Sequence, residues 1–222
     1  MKFIYADELK KKFDVCGHFY NLKLSNYILK CRSILEIKRK DKLIQTPDII
    51  VIMMNPGSSI PLDKNYDPKI FSKDEYNNIK TKEIIPTRPD NAQYQIMRLM
   101  EFNKWNFVRI LNLSDLRNGN SGKFQIEFRN AMKLDNSNPH CITHIDRKQE
   151  LLDCTKSKND IIIAAWGSIA ELKKSAEVIL KMDKNIIGLK KEKTPEFRYA
   201  SPYMQKQKIE WLIEIQNEIN KN

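Results

Sequence analysis

A chain of 222 residues with 41% hydrophobic content is long enough to bury a substantial core, and its length suits one domain better than two. Its net charge of +11, from 39 Lys and Arg against 28 Asp and Glu, points to a polyanionic partner, nucleic acid ahead of an anionic membrane surface. No stretch approaches the length of a transmembrane helix and the Lys-rich start has no apolar signal region behind it, so no membrane association and a cytoplasmic location are expected. Part of the charge excess reflects a Lys-, Asn- and Ile-rich composition of the kind low-GC genomes produce.

In chain order, the first segment to about residue 42 opens with a Lys-rich helical stretch. The following run over residues 26–37 fits neither the helical nor the strand period and reads as either. Residues 49–54 are a short apolar run of Ile, Val and Met that stops at Asn55-Pro56-Gly57, the pattern of a strand buried on both faces of a parallel sheet. Pro56 fixes φ, Gly57 tolerates positive φ, and Ser58 and Ser59 can cap the next segment, so Asn55 is held at a rigid polar corner. In α/β sheets, ligands bind beyond the carboxyl ends of such strands.

A long loop interrupted by Pro61, Pro68 and Pro86 follows to about residue 88. Asp90 or Asn91 then offers the N-cap of a helix carrying Tyr94, Ile96, Met97, Leu99 and Met100. Residues 107–113 form a second apolar strand ending at Asn112-Leu113-Ser114, a second polar corner. Residues 117–140 read as irregular, with Gly119-Asn120-Ser121-Gly122 the most turn-rich part. A helix over residues 146–156 leads to a third strand over 161–166, turned by Gly167. Ser168 and Glu171 have the spacing of a capping box for the next helix. A short strand over 185–189, a basic and aromatic loop to Met204, and a closing helix with Ile209, Leu212 and Ile213 complete the chain. Strands alternating with helices imply a mostly parallel sheet wrapped on both sides.

Cys16, Cys31, Cys141 and Cys154 form no Cys-x-x-Cys pair, which argues against a zinc ribbon or iron–sulfur cluster. His140, Cys141, His144 and Cys154 form a local group of metal-ligand residue types, although reduced Cys is mostly a small buried hydrophobe. No Gly-x-Gly-x-x-Gly or Gly-x-x-x-x-Gly-Lys phosphate loop exists. No metal and no cofactor are expected.

The corners Met53-Met54-Asn55-Pro56-Gly57, Val108-Arg109-Ile110-Leu111-Asn112, Ala164-Ala165-Trp166-Gly167-Ser168 and Ser201-Pro202, in this order and each at a strand end or loop, resemble the motifs of the uracil-DNA glycosylase superfamily over roughly residues 48–204. The first resembles the Asn-Pro-Gly motif of its mismatch-specific and single-strand-selective branches, and the set is similar to that of an uncharacterised bacterial and phage branch. The resemblance implies a three-layer α/β/α sandwich with a central, mostly parallel four-stranded sheet in one domain, residues 1–222, on which 1–45 packs as an extension. The position matching the family's catalytic His is Tyr199, followed by Ala200, which puts excision of plain uracil in doubt. The implied activity is hydrolysis of the N-glycosidic bond of a flipped, damaged or modified base, for instance a modified pyrimidine in foreign DNA, to leave an abasic site. A catalytically silent nucleic-acid- or nucleotide-binding member of the same fold is the alternative.

Under that resemblance Asn55 holds the attacking water through its amide oxygen. Asp63, with Asp67, is an alternative carboxylate or an ordinary turn residue. Met54, Gly57, Ser58, Asn112, Ser114, Trp166 and Tyr199 are the expected base-binding residues. Asn112 reads a base edge or caps its loop, and Trp166 lines the pocket floor or is simply buried. Lys190, Lys191, Lys193, Arg198 and Ser201 contact DNA, unless the loop is only a solvated basic surface. Tyr203 and Met204 fill the gap left by a flipped base or pack under the last helix. The expected partner is single- or double-stranded DNA, bound by a monomer.

Overall fold

The structure, a computed structural model, describes residues 3–77, 82–192 and 195–221. Among them the chain runs α1 (Ala6–Lys12), β1 (Phe13–Leu24), β2 (Tyr27–Arg39), β3 (Ile49–Met53), β4 (Ile60–Pro61), β5 (Ile70–Phe71), α2 (Lys73–Asn77), β6 (Ile85–Arg88), α3 (Asn91–Asn103), β7 (Phe107–Asn112), α4 (Ser121–Leu134), α5 (Lys148–Cys154), β8 (Ile161–Ala164), α6 (Lys173–Leu180), β9 (Asn185–Ile187) and α7 (Gln205–Ile219). Single 3-10 turns at Ile145–Arg147 and Ala170–Leu172 lead into α5 and α6.

The fold is mixed α/β around one mixed sheet of nine strands, rather than four. Its order is β4-β6-β1-β2-β7-β3-β8-β9, with β5 beside β1. β7, β3, β8 and β9 are mutually parallel. β2 joins them antiparallel, with Leu35 opposite Ile110 and Ile37 opposite Val108. The segment that fitted neither period is therefore a strand. Instead of packing on the sheet as an extension, β1 and β2 form a long hairpin that continues it. A register shift in the hairpin, where Ile34 stands opposite His18 but Arg32 opposite Phe19, explains the ambiguous pattern, because it breaks the alternation so that Leu29 and Cys31 face one side of the sheet while Leu35 and Ile37 face the other.

β3 is buried at all five positions. Ile50 and Ile52 pack with Phe124 and Phe128 of α4, Leu151 of α5 and Ile179 of α6. Ile49, Val51 and Met53 pack with Leu9 of α1, Ile96 and Leu99 of α3 and Trp211 and Ile215 of α7. A strand with helices on both faces has no polar side, hence its unbroken apolar run.

Two local expectations change. Residues 121–134, read as part of an irregular stretch, are helix α4. The Asn120 side chain accepts the Lys123 backbone N–H at 2.9 Å, so the Gly- and Asn-rich signal marks a helix start. Phe124, Phe128 and Ala131 at spacings of four and three supply its buried face. The Ser168–Glu171 capping box does not form. Ser168 Oγ accepts from Lys191 Nζ at 2.8 Å, and the Glu171 carboxylate pairs with Arg129 at 2.6 Å. A 3-10 turn after Ile169 starts the helix instead. Asp90, by contrast, caps α3 with its side chain and completes a capping box with Gln93.

Candidate functional site

The loops after β3, β7 and β8 enclose, with the segment leading into α7, a pocket of about 750 Å³ lined in part by Met54, Asn55, Gly57, Asn118, Gly167 and Tyr199. It lies beyond the carboxyl ends of parallel strands, where the alternation of strand and helix leaves a crevice. A volume of this order is within the range that accepts drug-sized ligands.

Asn55 is held in it by two hydrogen bonds. Its Nδ2 donates to the carbonyl oxygens of Asn118, at 2.8 Å, and Leu116, at 3.2 Å. Two acceptors on one side of a planar amide fix which end is nitrogen, so Oδ1 is turned away from them. The carbonyls belong to a segment that is itself clamped to the hairpin: Arg32 N–H donates to Asp115 O and Arg117 N–H to Lys30 O, both at 2.9 Å, and Cys31 bridges Leu116. The position of Asn55 thus depends on β2, some twenty residues upstream.

Gly57 has φ +66°, as the corner requires, and a Cβ there would come within 2.5 Å of Asp90 Oδ2. Asp90 Oδ1 accepts from Ala92 N at 2.9 Å and Gln93 N at 3.3 Å. Its second oxygen therefore stands beside the Asn-Pro-Gly corner. Gly167, φ +76°, makes the matching turn after β8, close against Met54 and the Cβ of Tyr199. Tyr199 is 39% exposed. Desolvation, with the Asp90 charge adding to it, holds its phenol above the ordinary range, so it faces the pocket as a protonated donor.

Of the other expected residues, Ser201, Tyr203 and Lys191 line the pocket. The Ser201 Oγ is buried without a partner among the described residues, and Tyr203 is 98% exposed. Met204, half-exposed, is the N-cap of α7. Lys190 is exposed, and Lys193 lies outside the described residues. Asn112 is fully buried at the end of β7 beside Met53, and neither atom of its amide has a partner among the described residues.

Five further residues among those named from the sequence are not among the pocket-lining residues. Asp63 accepts Asn65 N–H at 2.8 Å in an exposed turn, the Asx geometry its loop favours. It is not among the pocket-lining residues. Ser114 is fully buried just beyond the end of β7, its Oγ 3.1 Å from His140 Nδ1, and is not among the pocket-lining residues. Trp166 is buried, donates from Nε1 to Pro195 O at 2.8 Å and stands edge-on to Phe197, so it holds the last loop in place. Arg198 pairs with Glu214 at 2.6 Å. Ser58 is exposed and packed against Gly119.

Among the described residues no three His, Cys, Asp or Glu side chains gather as a metal-holding group. Burial holds His140 down to about 3, a neutral ring inside the core. No described helix is long and apolar enough to cross a membrane.

Sequence reasoning missed Asn118, Gln125 and Lys208 in the lining, and it read Asp90 only as a cap. The signal for Asn118 was the turn-rich Asn118-Gly119-Asn120 run. The other three carry no local signature. No protein-family model matches the chain, and neither curated proteins nor solved structures include a match to it.

Proposed function

We propose that the chain is a DNA glycosylase of the uracil-DNA glycosylase type, hydrolysing the N-glycosidic bond of a flipped, modified base. The observation that carries this reading is the locked Asn55 amide, whose oxygen is freed from the Leu116 and Asn118 carbonyls at the mouth of the pocket. The parallel set β7-β3-β8-β9, with helices on both of its faces, is compatible with the three-layer sandwich of that superfamily.

In this reading the bond from C1′ to the base nitrogen breaks and its electron pair leaves with the base. The sugar becomes oxocarbenium-like. Water forms the new C1′–O bond and gives up one proton, and the departing base acquires one. Asn55 Oδ1 accepts a hydrogen bond from that water and orients it, which suffices where the electrophile is already cationic. The Tyr199 hydroxyl donates to the departing base from the position where the family has His. Lys191 and Lys208 meet the phosphates, and the exposed Tyr203 fills the gap left by the extruded base.

The test is incubation with DNAs carrying different base modifications, followed by alkaline cleavage at abasic sites. Cleavage by the native protein that is lost in Asn55→Ala is the expected result. Tight DNA binding without release of any base over a broad panel overturns the reading in favour of a catalytically silent binding protein.

A further inference from the structure

A second groove, of about 580 Å³, lies between the end of the β1–β2 hairpin and α4. The hairpin closes from Leu24 to Tyr27 over a two-residue turn, with Ser25 at a left-handed φ of 53°, so Tyr27 stands on a tight corner rather than on a long loop. Leu29 and Ala131, both buried, underlie the groove, and Tyr27, Ile28 and Ile126 line it as exposed side chains. The Tyr27 ring is 62% exposed and meets no other ring among the described residues.

The groove adjoins the Asn55 pocket. Asn118 lines both, and α4 lends Ser121 and Gln125 to the pocket but Lys123, Ile126 and Asn130 to the groove. Charge narrows the class of occupant. Lys123 and Lys133 line the groove about 15 Å apart along the helix axis, and neither is ion-paired among the described residues. The one carboxylate in the lining, Glu127, already accepts from Asn118 Nδ2 at 3.2 Å. A net charge of +11 opposes the approach of a second copy of the chain and favours a polyanion.

We propose that this groove holds the unpaired nucleotides adjoining the base in the pocket, one of them stacked on Tyr27, so that the preferred substrate is single-stranded DNA. An exposed aromatic ring beside aliphatic side chains takes the face of a base, and free lysines take the phosphates on either side of it. In a duplex both faces of every base are covered by its neighbours, so a stacking platform of this kind is of use only to an unpaired strand. A polynucleotide also explains why the two cavities share Asn118, since a strand leaving the pocket runs along α4 into the groove. The proposal rests on the DNA reading of the pocket, but stacking in the groove needs no turnover and is measured apart from it.

Fluorescence anisotropy with one labelled oligonucleotide of mixed sequence, alone and annealed to its complement, tests this. The native protein is expected to bind the single strand about tenfold more tightly than the duplex. Tyr27→Ala should lower single-strand affinity about tenfold, the scale of one base stacked on an aromatic ring, and leave duplex affinity within about twofold. Tyr27→Phe keeps the ring and should bind as the native protein does. Lys123→Ala should lower the slope of log K against log salt for the single strand by about 0.7. Because Tyr27 is exposed, its variants should keep the native thermal transition. Equal affinity of the native protein for the two forms, undiminished single-strand affinity in Tyr27→Ala, or equal losses for both forms overturns the proposal. A dimer in sedimentation that Ile126→Glu dissociates also overturns it, since the groove then belongs to a second copy. Single-strand binding that depends on Tyr27, with no base released from any DNA, upholds the groove and overturns only the enzyme reading. Base release from single strands at an unchanged KM in Tyr27→Ala upholds the enzyme and overturns the groove.

Discussion

A Cβ at Gly57 would lie 2.5 Å from Asp90 Oδ2, so the corner that holds Asn55 and the cap that starts α3 compete for the same space. Gly57→Ala must therefore strain a left-handed backbone and push the capping carboxylate aside together. A loss of about 2–3 kcal/mol in urea unfolding is expected, the sum of the two effects. The double variant Gly57→Ala, Asp90→Ala should cost less than the two single changes added, since the clash is then gone. Strict additivity would refute the contact.

Asn55→Asp separates orientation from basicity. A carboxylate would be the stronger proton acceptor, yet here it would face the carbonyl oxygens of Leu116 and Asn118 in place of two N–H donations. The expected outcome is a loss of about 2 kcal/mol in stability from two broken hydrogen bonds, and slower base release than native. Faster release would show that Asn55 is not held as described.

DNA affinity should fall with salt, and individual lysines should be readable in the slope. Lys191→Ala is expected to reduce the slope of log K against log salt by about 1. Arg198→Ala should change it less, because Arg198 already pairs with Glu214. Equal effects of the two would mean that this ion pair opens when DNA binds.

Stability should decline on the acid side of neutrality. Burial pushes His140 down to about 3 and His18 to about 4, from 6.5. Both are bases kept neutral in the folded chain, so the unfolded chain binds protons first. Their contribution is whole above pH 6.5 and shrinks as pH falls below it, by about 2 kcal/mol for one histidine at pH 5. Below 4.5 Glu150 adds to this: burial opposes its charge, but Arg147 and Lys82 hold it at about 2, so that its support is lost as pH falls toward that value. Urea midpoints between pH 8 and 4 check the trend, and His140→Asn should flatten its upper part.

The parallel strands, the Asp90 cap and the last helix were legible because each is written locally: β3 and β8 as unbroken apolar runs rich in Ile, α3 as an apolar stripe behind an Asx cap. Asn55 and Tyr199 were legible as corners of one pocket for the same reason. The hairpin was not, since whether residues 27–39 pair with β7 depends on a partner seventy residues away. Helix α4 was obscured by its own cap, where Gly119 and Asn120 resemble a loop. The burial of Arg32, 1% exposed, was invisible for a deeper reason. A single Arg inside a mixed run reads as solvent-facing, and only the docking of the hairpin beside β7 encloses it.

That docking also orders events in time. Asn55 is held by a segment that is itself stitched to β2, so the pocket cannot be assembled before the first and middle thirds of the chain have met. Local loosening of the hairpin, far from any ligand, would blunt the site while the two helical layers remain intact. Protection of the Arg32 and Arg117 amides in hydrogen exchange would then report on the readiness of the pocket more directly than a melting temperature does.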